Sequence, residues 1–171
     1  MKDETEQTAQ FTFGPLDPKA HDRRGFSCGK EPLDAYLKTQ ATQDLRRGYS
    51  ACFVAATAEG QIVGYFTLTA HSVPLEELPE DFRKKLPSRI PMPAALLGRL
   101  AVDQRFKGQG LGSVLLTYAL TTAAKPGNTA AHALVVDALD DEAAGFYRHQ
   151  GFHGFPSAPM RFFLPLAPYR E

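Results

Sequence analysis

Arg105, Gly108, Gly110 and Gly112 lie together in the stretch RFKGQGLGS, after an apolar run that stops at Asp103 and directly before a helical pattern. Glycines between a strand and a helix let the backbone approach a ligand closely. They also aim N–H groups and the positive helix end at an anion. Three glycines within five residues favour a phosphate site over a turn that only relieves strain. A P-loop requires Lys then Ser or Thr after its last glycine, whereas Gly112 is followed by Ser113 and Val114. A dinucleotide loop requires G-x-G-x-x-G, and here the third glycine comes one place early. Asp137 does close the next apolar run, as that fold asks, but the loop follows a hairpin and a long insertion rather than opening the domain.

No side chain stands out as a general base. Glu76 and Glu77 sit in a loop and read as solvated, and Asp103 reads as a cap. The histidines His21, His71, His132, His149 and His153 show no ligand spacing, and Cys28 and Cys52 make no zinc pattern, so no metal is expected. Cys52 reads as a core thiol. His71, just past a hairpin strand, reads as a loop residue.

These residues need a frame. FTFGPL opens as a strand that Pro15 ends, and EPLDAYLKTQATQDLRRG reads as a helix stopped by Gly48. ACFVAAT and QIVGYFTLTA form a hairpin. From His71 to Pro93 five prolines and a basic cluster (Arg83, Lys84, Lys85, Arg89) read as a long loop with a short helix near EDFRKKL. ALLGRLAVD is a strand apolar enough for burial on both faces. The helix GLGSVLLTYALTTAAK, the strand AAHALVVDA and the helix DDEAAGFYRHQ follow, with Gly151 as a C-terminal cap. MRFFLPL is an edge-proximal last strand. The order describes an α/β chain with a mixed sheet and one βαβ unit.

Composition sets the bounds. The 171 residues carry 43% apolar and 22% charged residues, which suits one soluble domain over 1–171, with 1–10 as a disordered tail. Net charge is zero, so the chain as a whole advertises no nucleic-acid affinity, although a local basic patch is compatible with that. No secretory signal or membrane span is apparent, and a reducing cytoplasm is the expected location.

The pattern R-x-x-G-x-G at Arg105, Gly108 and Gly110 resembles the pyrophosphate loop of the GCN5-related N-acetyltransferases, the GNAT superfamily. A second element, A-x-x-F-Y-x-x-x-G-F at Ala143, Phe146, Tyr147, Gly151 and Phe152, resembles another signature of that family. The resemblance implies a GNAT fold, with a mostly antiparallel sheet around a βαβ core, and acetyl-coenzyme A as cosubstrate. It implies that the amides of Lys107, Gly108, Gln109, Gly110, Leu111, Gly112 and Ser113 hold the pyrophosphate, with charge from Arg105 and Lys107. Leu100, Ala101 and Val102 would pair with the pantetheine arm, and an N–H near Ala101 or Val102 would polarise the thioester carbonyl. Tyr147 would protonate the departing thiolate. Phe146 joins the cofactor-binding set and is expected in the core. Many relatives have Asn where this chain has Asp140, which changes any cofactor contact made there.

A narrower resemblance is to the GNAT toxins of bacterial toxin–antitoxin modules. It rests on F-x-C-G-x-x-x-L-D-x-Y-L at Phe26, Cys28, Gly29, Leu33, Asp34, Tyr36 and Leu37, with LLGRLAVD and VVDALD. It implies acetylation of the amino acid on aminoacyl-tRNA, a block on translation and a small DNA-binding antitoxin as partner. A homodimer fits the family. Arg83, Lys84, Lys85, Arg89 and Arg99 are the candidate tRNA contacts, with Arg46 and Arg47 beside them. In that branch the arginine matching Arg99 lies near the acceptor. Two alternatives stay open: an acetyltransferase for a small-molecule or protein amine, and a module that binds acyl-CoA or a partner without catalysis.

Overall fold

A computed structural model describes residues 10–127 and 129–170. The tail expected over 1–10 lies, apart from Gln10, outside the described residues. The chain divides into two compact units. One takes in the residues up to 69 and 99–119, the other 70–98 and the residues from 120.

Seven strands share one sheet in the order β1-β2-β3-β4-β5-β7-β6. They are β1 (Thr12–Pro15), β2 (Ala51–Ala56), β3 (Ile62–Val73), β4 (Met92–Val102), β5 (Ala133–Asp137), β6 (His153–Phe155) and β7 (Ala158–Pro165). The pairs β1–β2, β2–β3, β5–β7 and β6–β7 are antiparallel, and β4–β5 is parallel. This is the mixed, mostly antiparallel sheet with a βαβ core that the sequence leads one to expect. Helices are α1 (Glu31–Ala35), α2 (Ala41–Arg47), α3 (Glu80–Arg83), α4 (Leu111–Ala124) and α5 (Asp141–His149).

Several boundaries differ from the sequence reading. The helix predicted from Glu31 to Gly48 contains a π-helical segment, Tyr36–Gln40. Gly48 ends it in the left-handed region, φ 72°, as expected of a glycine cap. β3 runs through His71 to Val73, so His71 is a strand residue and not the start of the loop. β6 escaped notice because three residues carry no readable alternation. β7 lies one strand in from the β6 edge, and Pro165 is its last residue, where a missing donor costs little. β4 is not buried on both faces: Gly98 is exposed and Met92–Ala94 alternates buried, exposed, buried.

Each unit has its own apolar cluster. In the first, Phe26, Leu37, Val54, Ile62 and Tyr65 are sealed from solvent, with Cys28, Cys52 and Ala101 beside them. In the second, Val73, Leu78, Met92, Val135 and Phe163 pack together. Among the described residues no helix is long and apolar enough to cross a membrane, and no three of His, Cys, Asp and Glu converge on a point.

Candidate active site

Asp103 organises the glycine loop. β4 ends at Val102, and Asp103 is 1% exposed. Its Oδ1 accepts from the backbone N–H and Nε of Arg105, both at 2.9 Å. Its Oδ2 accepts from Arg105 Nη2 at 3.2 Å and from the Ser27 N–H at 3.1 Å. The backbone is tied on either side: Asp103 N–H donates to Val63 O and Gln104 N–H to Ser27 O. Burial pushes the carboxyl up, but the hydrogen bonds from Arg105 and Ser27 outweigh it and hold it below the usual carboxylate range. The sequence reading of Asp103 as a cap is correct, since it caps the 3-10 turn Gln104–Phe106. Its larger role is to join that turn to Ser27.

The loop that follows has the conformation its glycines allow. Gly108 and Gly110 lie at φ 78° and 80°, where an L side chain is strained, and a Cβ at either would meet open space. Their glycine identity therefore answers the backbone angle and not crowding. Gly110 O accepts the first helical bond, from Val114 N–H. Leu111, Gly112 and Ser113 form the first turn of α4, at the positive end of the helix dipole. Gly112 belongs to that helix and not to the loop. Gln109 is exposed, and Leu111 is buried. The two cations expected to supply charge are both exposed and both tethered. Arg105 is held by Asp103, and Lys107 Nζ donates to Cys28 O at 2.7 Å.

On β4, Ala101 is buried, and Leu100 and Val102 are half-buried. The ladder with β5 pairs Ala94–Leu97 with Ala133–Val136; β5 ends at Asp137 and β4 continues to Val102. Arg99 has its guanidinium carbon 3.4 Å from the centroid of the Tyr36 ring. Tyr36 O–H donates to Asp44 Oδ2 at 2.8 Å, and Gln40 Nε2 donates to Asp44 Oδ1 at 3.1 Å. Burial and the Asp44 carboxylate push the Tyr36 phenol up to about 12, against the pull of the Arg99 charge. The π-helical segment thus presents a fixed aromatic face to Arg99. Sequence reasoning singled out Arg99 but gave Tyr36 only a place in a pattern and gave Asp44 none. The motif's own acid, Asp34, accepts from Cys28 N–H at 2.8 Å and fixes the segment before α1.

In the second unit, Asp140 caps α5: its Oδ1 accepts from Ala143 N–H at 2.9 Å. Aspartate is as good a cap as asparagine, so the departure at this position leaves the helix start intact. Tyr147 is 6% exposed, with the Phe146 and Phe152 rings at 5.3 and 5.4 Å. Burial pushes its phenol up, so the ring enters any reaction near neutral pH with its proton on. Phe146, expected in the core, is only half-buried; the buried member of the pair is Tyr147. Gly151 at φ 93° ends the helix. Arg83, Lys84, Lys85 and Arg89 are all exposed, and Lys84 makes a 3.7 Å surface pair with Glu80. His71 Nε2 is sealed from solvent without a hydrogen-bond partner, and burial together with the Arg161 charge lowers its pKa.

The acetyltransferase (GNAT) family matches residues 19–152. A tRNA-acetylating toxin of Mycobacterium tuberculosis is 38% identical over 146 residues, covering 85% of this chain and 86% of that protein. The toxin AtaT in complex with acetyl-methionyl-tRNAfMet superposes with a TM-score of 0.81 at 29% identity, over 91% of this chain and 94% of that one. A tyrosine-to-phenylalanine variant of AtaT, bound to the C-terminus of the antitoxin AtaR and to acetyl-CoA, superposes with a TM-score of 0.76 at 26% identity, over 94% of this chain and 96% of that one. This chain belongs to the GNAT family of acetyltransferases.

Proposed function

We propose that this chain is an acetyl-CoA-dependent N-acetyltransferase that modifies the α-amino group of aminoacyl-tRNA and so blocks translation, in the cytoplasm and under the control of a small DNA-binding antitoxin. The observation that carries the reading is the glycine loop, fixed by the buried Asp103 and delivered to the start of a fourteen-residue helix. Gly108 and Gly110 have no Cβ to keep a phosphate from the backbone, and the amides of Leu111 and Gly112 lie at the positive end of α4. These residues fit a pyrophosphate. The relatives named as tRNA-acetylating and as bound to acetyl-methionyl-tRNA support the acceptor class. The AtaR complex supports the antitoxin.

The chemistry is acyl transfer, and acetyl-CoA brings the activated acetyl group. Leu100, Ala101 and Val102 offer an extended backbone to pair with the pantetheine arm, and an N–H at Ala101 or Val102 polarises the carbonyl under attack. Holding the amine against the thioester replaces a bimolecular encounter. Tyr147, a neutral phenol at pH 7, donates a proton to the departing sulfur. An α-amino group that is partly neutral at pH 7 needs no strong base.

The test is cell-free translation with and without acetyl-CoA, using wild type and Tyr147→Phe, with the tRNA pool assayed for N-acetylated aminoacyl groups. Acetyl-CoA-dependent arrest by wild type alone is the expected result. Unimpaired translation by a protein that binds acetyl-CoA refutes the reading and leaves an acetyltransferase for another amine.

A further inference from the structure

We infer that a basic recess on the first unit, formed by the segment before α1 and by Lys38, holds the sugar–phosphate backbone of the tRNA acceptor; this rests on the aminoacyl-tRNA reading above. The recess, about 590 Å³, is lined by Pro18, Lys19, Ala20, His21, Asp22, Arg23, Arg24 and Lys38. It gathers four permanent cations against one carboxylate, in a chain whose net charge is zero. That carboxylate, Asp22, forms an exposed pair with Arg24 at 3.2 Å, so the lining keeps a net excess of three cations. Lys19, Arg24 and Lys38 are exposed. No charge in the catalytic proposal draws on them. A concave surface of one sign attracts a polyanion, and lysine and arginine are the usual phosphate partners.

The recess is built and not frayed. Lys19 N–H donates to Asp17 Oδ1, and Asp17 N–H donates to His21 Nδ1, both at 2.9 Å. Asp22 N–H donates to Gly60 O at 2.7 Å, and Ile62 N–H donates to Asp22 O. These bonds stitch the segment to the β2–β3 turn. Arg23 Nη1 reaches Leu37 O and Thr42 Oγ1 at 3.2 and 2.9 Å, which ties the same segment to the helical stretch that carries Lys38. Gly60 lies at φ 86°, and a Cβ there would press on the Ala20 carbonyl oxygen, so the turn is shaped around this loop. A preformed cationic surface binds phosphate without first ordering its backbone.

The experiment compares two acceptors: a full aminoacyl-tRNA and an aminoacylated oligonucleotide carrying only the 3′ terminus. The variant is the triple Lys19→Gln, Arg24→Gln, Lys38→Gln, with thermal unfolding and acetyl-CoA binding measured alongside. For full tRNA the variant's KM rises at least tenfold at 150 mM salt, and the slope of log affinity against log salt falls by about 2, at about 0.7–0.9 for each cation taken off a phosphate. For the short acceptor kcat and KM stay within twofold of wild type. Gly60→Ala, which disturbs the recess without removing a charge, moves the tRNA KM in the same direction. An unchanged KM and slope for full tRNA overturn the proposal. Unchanged tRNA values with weakened binding of a polyglutamate peptide overturn it in favour of an acidic polypeptide. Wild type that acetylates neither acceptor refutes the aminoacyl-tRNA reading itself, a result separate from any behaviour of the variant.

Discussion

Replacing Asp103 by asparagine tests whether one buried carboxylate organises the phosphate loop. Asp103 is acceptor to four donors, three from Arg105 and one from Ser27. Asparagine keeps one acceptor oxygen and turns the other position into a donor that faces donors. A hydrogen bond to a charged group is worth about 1.5–3 kcal/mol. Breaking a fully buried pair costs about 3–5 kcal/mol, but the Arg105 side chain is 51% exposed and water screens its end of the interaction. The expected destabilisation at pH 7 is therefore about 2–3 kcal/mol. With a urea slope of about 2 kcal/mol per molar, the midpoint falls by about 1 M. The sign with pH follows from the depressed carboxyl. Its stabilisation is fully present above the ordinary value of 3.8 and is lost as pH falls through the lower folded value. Asparagine does not titrate, so the gap between wild type and variant narrows below about pH 4. Urea titrations at pH 7 and at pH 3, with acetyl-CoA calorimetry at pH 7, read all of this. A variant midpoint equal to wild type at pH 7, or a gap undiminished at pH 3, refutes the reasoning.

Tyr147→Phe retains acetyl-CoA affinity and lowers the single-turnover rate about 10²–10⁴-fold, the usual worth of a positioned proton donor; a rate within threefold of wild type removes the phenol from the mechanism. Gly110→Val forces a branched side chain to φ 80° and weakens acetyl-CoA binding at least tenfold by calorimetry. Its control, Gly145→Ala, sits on an exposed helix position with open space and raises stability by about 0.5–1 kcal/mol in a thermal melt. Tyr36→Phe loses the Asp44 bond and about 1 kcal/mol of stability but keeps a ring under Arg99. Tyr36→Leu removes the ring, so KM for aminoacyl-tRNA rises in the leucine variant and not in the phenylalanine one.

What the sequence made legible is local. Glycine at 48 and 151 reads as a helix stop, and both positions have positive φ. The strand–loop–helix order around Asp103 and the helix before Gly151 follow from periodicity and capping. What stayed hidden joins residues far apart in the chain. Ser27 and Asp103 are 76 positions apart, and Lys107 and Cys28 are 79. A pattern of residue types does not announce which distant backbone group a buried carboxylate will take. The π-helical turn at Tyr36–Gln40 has no composition cue; the side chains at its two ends, Tyr36 and Gln40, both donate to Asp44. Tyr147 was legible only through its motif. Its neighbour Phe146 is the more apolar side chain, so hydrophobicity alone puts the wrong member of the pair inside.

Charge is the clearest case in which position overrides sum. The two cations nearest the glycine loop are tethered by the fold: Arg105 by Asp103, and Lys107 by the Cys28 carbonyl. With Arg105 paired to Asp103, the proposed pyrophosphate site relies mainly on backbone N–H groups and the helix end, whose field acts within a single turn. Close, fixed dipoles are screened less than exposed side-chain charges. The recess before α1 works the opposite way, through exposed Lys19, Arg24 and Lys38. The two ligands therefore answer salt differently. Between 50 and 200 mM salt, acetyl-CoA affinity changes less than about threefold. Over the same interval, tRNA held through three phosphates binds about 30-fold more weakly, from a slope of about 2.4. Calorimetry for acetyl-CoA and filter binding for tRNA at the two salt concentrations give both numbers. A steep loss for acetyl-CoA would place side-chain cations, and not amides, on its phosphates; a flat response for tRNA would remove the recess from its binding.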